Sequence, residues 1–238
     1  MTKYRSYKKD MTFSYCFGAY GVFELVKYQS KQVKEVIFHH TFDKDKLVNE
    51  LEAKNISYRV NDNLITKLSS KENCYVLAVF NKYESKLNEN KPHLVLVNPS
   101  NMGNLGTIIR TMHGFKVKDL AIIKPGVDYF DPKVVRASMG SIFAINIEYF
   151  DSIDSYLKRF KNHFLYPFML QSSKPLQYFK NDKKLFSLVF GNESSGLDES
   201  YLNLGQSLII KHSDEIDSLN LTNAVSIALY EFFKDKFE

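Results

Sequence analysis

Tryptophan is absent from this 238-residue chain, and cysteine occurs only twice, as Cys16 and Cys74. The two cysteines are far apart and match no metal-ligand spacing. That excludes a disulfide framework and a zinc module, and it fits a reducing, cytosolic location. Long apolar runs are also missing: no stretch approaches the roughly 18 to 20 residues of a membrane span. The opening MTKYRSYKKD is basic but lacks the apolar core of a secretory signal. Histidine is sparse, and His39, His40, His93, His113, His163 and His212 are scattered; each reads as structural or surface. With no metal spacing, no nucleophile triad and no phosphate-binding motif, a small-molecule α/β enzyme is disfavoured. Internal repeats and low-complexity tracts are absent.

What remains is an ordinary globular composition, 44% apolar and 25% charged, long enough for one large or two modest domains. The net charge of +5 is unevenly placed. Residues 1–92 carry 16 Lys and Arg against 11 Asp and Glu, whereas residues 93–238 carry 16 of each. A basic first part fits contact with a polyanion such as nucleic acid, through Lys3, Arg5, Lys8 and Lys9 among others. A lysine-rich solvated surface accounts for the same numbers.

Residues 11–85 read as alternating helix and strand. Val22, Leu25 and Val26 share one helical face, as do Leu47 and Leu51. Residues 34–38, 56–60 and 75–80 have strand patterns. The polar stretch NKYESKLNENKP that follows reads as a linker, with residues 86–92 between a first domain (1–85) and a second (93–238). In the second, continuous apolar runs recur at 94–97, 120–123, 145–149, 164–170, 185–190 and 208–210. Such runs predict a parallel sheet covered on both faces. A last amphipathic helix is predicted over 221–233, with Leu221, Ala224, Val225, Ala228 and Phe232 on its stripe.

Ligands of open parallel sheets bind beyond the carboxyl ends of the strands. Three polar loops follow three of these strands: NPSNMGNLG, GNESSGL and KHSDEIDSLN. In the first, Gly103 and Gly106 permit tight turns, and Asn104 stands where a helix begins, so a capping role is expected of it. Leu105, Ile108, Ile109 and Met112 make the buried face of that helix, and Arg110 points away from it. In the second, Gly191 and Gly196 allow close backbone approach and Glu193 offers a carboxylate, for structure or as a base. In the third, either Ser218 or Asn220 caps the final helix, leaving the other for a ligand.

Taken together, NMGNLGTIIRT, KVVRASMGSIF, FGNESSGL and SLNLTNAVSIALYE, in that order, resemble the SpoU/TrmH-type RNA ribose methyltransferases of the SPOUT superfamily over residues 93–238. The first domain is similar to the L30e-like substrate-binding module that often precedes this catalytic domain. The resemblance implies an α/β fold whose parallel sheet ends in a C-terminal trefoil knot. It also implies an S-adenosylmethionine site against backbone around Gly191, Ile210 and Leu219, an obligate homodimer, and no metal. Arg110, Asn104, Glu193, Ser218 and Asn220 match the family's polar active-site positions. The implied activity is methylation of a ribose 2′-hydroxyl in structured RNA, 23S rRNA ahead of tRNA. A guanidinium is a reluctant base, so Arg110 is expected to hold a phosphate and stabilise a developing alkoxide. One segment departs from the pattern: Lys211, His212 and Asp214 stand where the family has proline, methionine and glycine. An aspartate at a glycine site can strain the loop or close the pocket. That departure keeps a rival open, a SPOUT-fold RNA-binding or ribosome-assembly protein with weak or no catalysis.

Overall fold

The computed structural model describes residues 4–69 and 73–236; Lys3 lies outside them. In chain order its main elements are β1 (Phe13–Phe17), α1 (Ala19–Gln29), β2 (Val33–Phe38), α2 (Asp45–Ala53), β3 (Tyr58–Val60), α3 (Asp62–Leu68), β4 (Val76–Asn81), β5 (His93–Val97), α4 (Met102–Gly114), β6 (Asp119–Ile123), α5 (Pro132–Ala137), β7 (Asn146–Phe150), α6 (Ile153–Arg159), β8 (Phe164–Pro167), β9 (Phe186–Phe190) and α7 (Leu221–Phe233). Two compact units result. Unit 1 is Met1–Tyr83 with Asp128–Ala144, and unit 2 is Glu84–Val127 with Ile145–Glu238.

Unit 1 is a four-stranded sheet in the order β1-β4-β2-β3. β4 runs antiparallel to β1 and β2, and β3 runs parallel to β2. β4 is central, which is why Val76, Leu77, Ala78, Val79 and Phe80 are all buried. α1 packs on β1 and β4 through Val22, Leu25 and Val26. A second cluster gathers Tyr4, Tyr15, Ile37, Leu77 and Val79 around Ile65 of α3. Residues 128–144 join this unit rather than staying with 93–238, as the sequence reading had it. Their apolar side chains find its core: Phe130 and Phe143 meet Phe80 edge-on at 5.6 and 5.2 Å. Ser14 Oγ also donates to Phe130 O at 2.5 Å.

Unit 2 holds five strands, all parallel, in the order β7-β6-β5-β9-β8. This is the expected α/β sheet. The run 208–210 is not a sixth strand: it meets irregular chain after β8 through the isolated bridges Phe168↔Leu208 and Pro175↔Ile209. The segment read as a linker lies against unit 2. Leu87 is buried, its N–H donates to Glu148, and Asn88 N–H donates to the buried Asp119. His93, Tyr156, Ser187 and His163 form a buried hydrogen-bonded chain near the start of β5, with links of 2.7, 2.6 and 3.0 Å. The site loops leave from the opposite ends of the strands. α4 and α7 pack on each other. Among the described residues, no helix is long and apolar enough to cross a membrane.

Candidate active site

The loop after β5 is set by caps and by one carboxylate. Asn101, not Asn104, caps α4: its Oδ1 accepts from Asn104 N–H at 3.0 Å. The helix therefore starts three residues earlier than the sequence indicated, and Asn104 is free to turn toward the loop after β9. There Glu193 gathers the donors of the first loop. Its carboxylate accepts from Ser100 N–H at 3.1 Å, Ser100 Oγ at 2.8 Å, Asn101 N–H at 3.1 Å and Asn104 Nδ2 at 3.3 Å. Asn192 adds a clasp, donating from Nδ2 to Asn98 O at 2.7 Å. Burial alone would push the Glu193 carboxyl up. Donors from its own backbone, Ser100 and Asn101 outweigh that and hold it below the usual carboxylate range. A carboxylate so occupied is a poor proton acceptor, and its geometry is that of a latch between the first and second loops.

The second loop is a tight hairpin. Asn192 and Gly196 exchange backbone hydrogen bonds at 3.2 and 3.0 Å, and Asn192 Oδ1 accepts from Ser194 and Ser195 N–H. A Cβ on Gly191 would lie 2.1 Å from the Gly196 carbonyl, so Gly191 has no room for a side chain, and Gly196 has φ +67, where a side chain would strain the backbone. Beside this hairpin is a cavity of about 220 Å³, walled by the loop after β9, residues 168–171, Ile209, Ile210, His212, Ser218, Leu219 and the start of α7. Phe168 and Phe190 stack within the wall at 4.4 Å and 8°. The backbone N–H and C=O of Ile210 and Leu219 have no hydrogen-bond partner among the described residues, although both residues are half-buried. Such orphaned groups facing a partly apolar cavity suit a ligand with one flat heteroaromatic end and polar edges. That is the character of the adenosyl part of S-adenosylmethionine, so the residues fit the cofactor.

The predicted residues divide accordingly. Gly191, Ile210, Leu219, Glu193 and Ser218 line one cavity, and Asn104 reaches Glu193. Asn220 is the cap of α7, accepting from Thr222 N–H at 2.9 Å and Thr222 Oγ1 at 2.7 Å. Arg110 is exposed on α4, outside the cavity lining. Its side chain makes no hydrogen bond or ion pair among the described residues. It stands six residues beyond Asn104, about 9 Å along the helix. Asp214 is not among the non-glycine residues with positive φ, so aspartate at that family glycine position carries no backbone strain. The sequence reading missed Ser100, Asn101 and Asn192; the crowding of Asn and Ser in NPSN was the one signal for them. A separate group in unit 1, His39, His40 and Asp62, brings possible metal ligands within 4.8 Å of one another, the one such group among the described residues.

The profile of the SpoU rRNA Methylase family matches residues 91–230. A Bacillus subtilis 23S rRNA (guanosine(2553)-2′-O)-methyltransferase is 26% identical over 202 residues, 83% of this chain and 79% of that one. The crystal structure of an AdoMet-bound rRNA methyltransferase from Sinorhizobium meliloti superposes with a TM-score of 0.80 at 24% identity, covering 95% of this chain and 88% of that one. A structure describing 2′-OH methylation of C/U34 on tRNA gives 0.56 at 27% identity, covering 63% of this chain and 98% of the other. With the family profile spanning more than half its length, the chain belongs to the SpoU rRNA methylase family.

Proposed function

We propose that this SpoU-family methyltransferase acts on a ribose 2′-hydroxyl in structured RNA, with 23S rRNA ahead of tRNA, in the cytoplasm and as a homodimer. The observation that carries the reading is the cavity in which the second and third loops meet, with the free backbone groups of Ile210 and Leu219 in its wall. When bound, S-adenosylmethionine supplies an activated methyl group on a sulfonium, leaving the protein to supply placement and electrostatics. Gly191, Ile210 and Leu219 hold it. Ser218, exposed at the mouth, is placed to orient the ribose. Glu193 fixes the start of α4, and through it the helix that bears Arg110. Arg110 holds an RNA phosphate and stabilises negative charge developing on the ribose oxygen. A cation beside that hydroxyl lowers its pKa without acting as a base.

A second copy of the chain is part of this reading. Arg110 lies outside its own chain's cavity, and the neighbouring α7 exposes Ile227 and Tyr230, 41% and 57% accessible. An exposed apolar stripe on α7 suits burial against a partner, which would then place the adjacent α4 beside the partner's cavity. The preference for ribosomal RNA rests on coverage. The tRNA-methylation structure pairs with 63% of this chain, whereas the 23S rRNA enzyme pairs with 83%. The extra length includes unit 1 residues, which we assign to substrate binding as an L30e-like module. We also infer that the 208–210 segment belongs to a C-terminal trefoil knot. The test is to map 2′-O-methyl marks on ribosomal and transfer RNA from cells with and without the protein. One 23S mark is expected to vanish; loss of a tRNA mark instead would move the substrate, and loss of none would sink the reading.

A further inference from the structure

Unit 1 contains a second cavity, of about 380 Å³, that the methyl-transfer site does not use. Tyr7, Tyr15 and Phe17 contribute aromatic surface, Leu68 closes one side, and Lys133 and Arg136 bring positive charge. The aromatic walls are held in place. Tyr7 donates its hydroxyl to Asp128, Lys82 bonds the same carboxylate at 2.9 Å, and the Lys82 ammonium sits 4.9 Å from the Tyr7 ring centroid. Tyr15 is buried and donates to Arg5 O at 2.5 Å.

The cations are left without counter-charge. Arg136 is half-buried with its guanidinium 5.2 Å from the Phe17 ring centroid, and Lys133 is exposed. Neither has a carboxylate partner among the described residues. Asp131 is the one acid in the wall, and its Oδ1 already accepts from Lys133 N–H at 2.8 Å as a helix cap. By contrast Lys82, Arg59 and Arg159 are each paired with acids. A partly desolvated guanidinium lying on an aromatic face, with no anion of its own, is suited to a ligand that brings both a flat ring and a negative charge.

The geometry points to this cavity as a binding site for one unpaired nucleotide of RNA, its base against Tyr7 and Phe17 and its phosphate on Arg136 and Lys133. RNA is recognised through splayed bases stacked on aromatic rings and guanidinium planes, and the excess positive charge of the chain lies within residues 1–92. The inference rests on the reading of this protein as an RNA methyltransferase and names where outside the methyl-transfer site the substrate is gripped.

The test uses the full chain and fluorescein-labelled single-stranded oligoadenylate and oligouridylate, followed by anisotropy. Arg136→Met keeps the apolar stem over Phe17 and removes the charge and donors. Lys133→Ala changes an exposed side chain and leaves the core alone. Arg136→Met is expected to weaken RNA binding about tenfold. Lys133→Ala should weaken it less and lower the log–log salt slope by about one. Calorimetric affinity for S-adenosylmethionine should stay at the wild-type value in both. Wild-type RNA affinity in both variants overturns the proposal, as does a wild-type protein that binds neither oligonucleotide. AMP binding as tightly as the oligonucleotides would make the occupant a free nucleotide and overturn the RNA assignment. Wild-type protein that binds RNA through Arg136 but not S-adenosylmethionine would leave this site standing and remove the methyl-transfer reading instead.

Discussion

Replacing Glu193 by glutamine separates a latch from a general base. The carboxylate accepts four bonds from Ser100, Asn101 and Asn104, at 2.8 to 3.3 Å. Glutamine has one acceptor oxygen, and its amide nitrogen would face donors. A hydrogen bond to a charged group contributes about 1.5–3 kcal/mol, and the bonds act as a unit in a half-buried setting, so they do not add. A loss of about 3 kcal/mol is reasonable for the set. For a chain of this size that lowers Tm by roughly 6 to 12 °C, measured by calorimetry on the transition that includes unit 2. The sign of the pH dependence provides a second reading. The Glu193 carboxyl is held below its usual range, so its stabilisation is present above the unfolded pKa of about 4.3 and is lost as pH falls through the folded value. Wild type and Glu193→Gln should therefore converge in acid and differ most near neutrality. Turnover should fall with the helix start, because α4 carries Arg110. A variant that melts like wild type at pH 7 yet loses all turnover would refute the latch and restore Glu193 as a base.

Arg110→Lys keeps the charge and loses the planar fork, so kcat is expected to fall on the order of a hundredfold, read by transfer of labelled methyl to RNA; near-normal turnover would mean that only charge matters. Asp214→Gly restores the family residue at a position without positive φ, and calorimetry should give an S-adenosylmethionine affinity within about twofold of wild type; a large gain would show that the aspartate obstructs the cavity. Ile227→Asp puts a charge in the exposed α7 stripe, and sedimentation should show a monomer; an unchanged dimer would place the interface elsewhere. His93 is held neutral, chiefly by burial, with a pKa lowered to about 4. The unfolded chain takes up that proton below about 6.5 while the folded chain does not, so stability declines from pH 6.5 toward 4 by about 3 kcal/mol. His93→Gln should flatten that slope in urea melts at successive pH values; a slope unchanged in the variant would assign it to other groups.

How far the sequence could be read depends on the range over which each feature is encoded. α7 was legible over 221–233 because a local apolar stripe specifies it, while the choice of Asn220 over Ser218 as its cap came from the structure. β5, β6 and β9 were legible because each is a short apolar run covered on both faces. β1 was not assigned: Phe13–Phe17 is three aromatics around Ser14 and Cys16, and the buried Ser14 hydroxyl is satisfied by donating to the Phe130 carbonyl, 116 positions away. The polar run 86–92 has linker composition, yet Leu87 is held by Glu148, which no local pattern reveals.

The site follows the same rule with one addition. Side chains that carry a motif were found, because residue type at a fixed offset is what a motif records. The role of Glu193 was left between structure and base until its donors, 89 to 93 positions away, came into contact with it. The polar groups of Ile210 and Leu219 belong to the backbone, and every residue has the same ones. Here the surrounding chain leaves them unpaired in the wall of a cavity, and that is a property of the fold alone. On the proposed reading, the segment around Lys211, His212 and Asp214 can depart from the family pattern without altering the backbone groups offered to the cofactor. Of the three, only His212 reaches the cavity wall, and the groups expected to read the ligand do not depend on which side chains they carry.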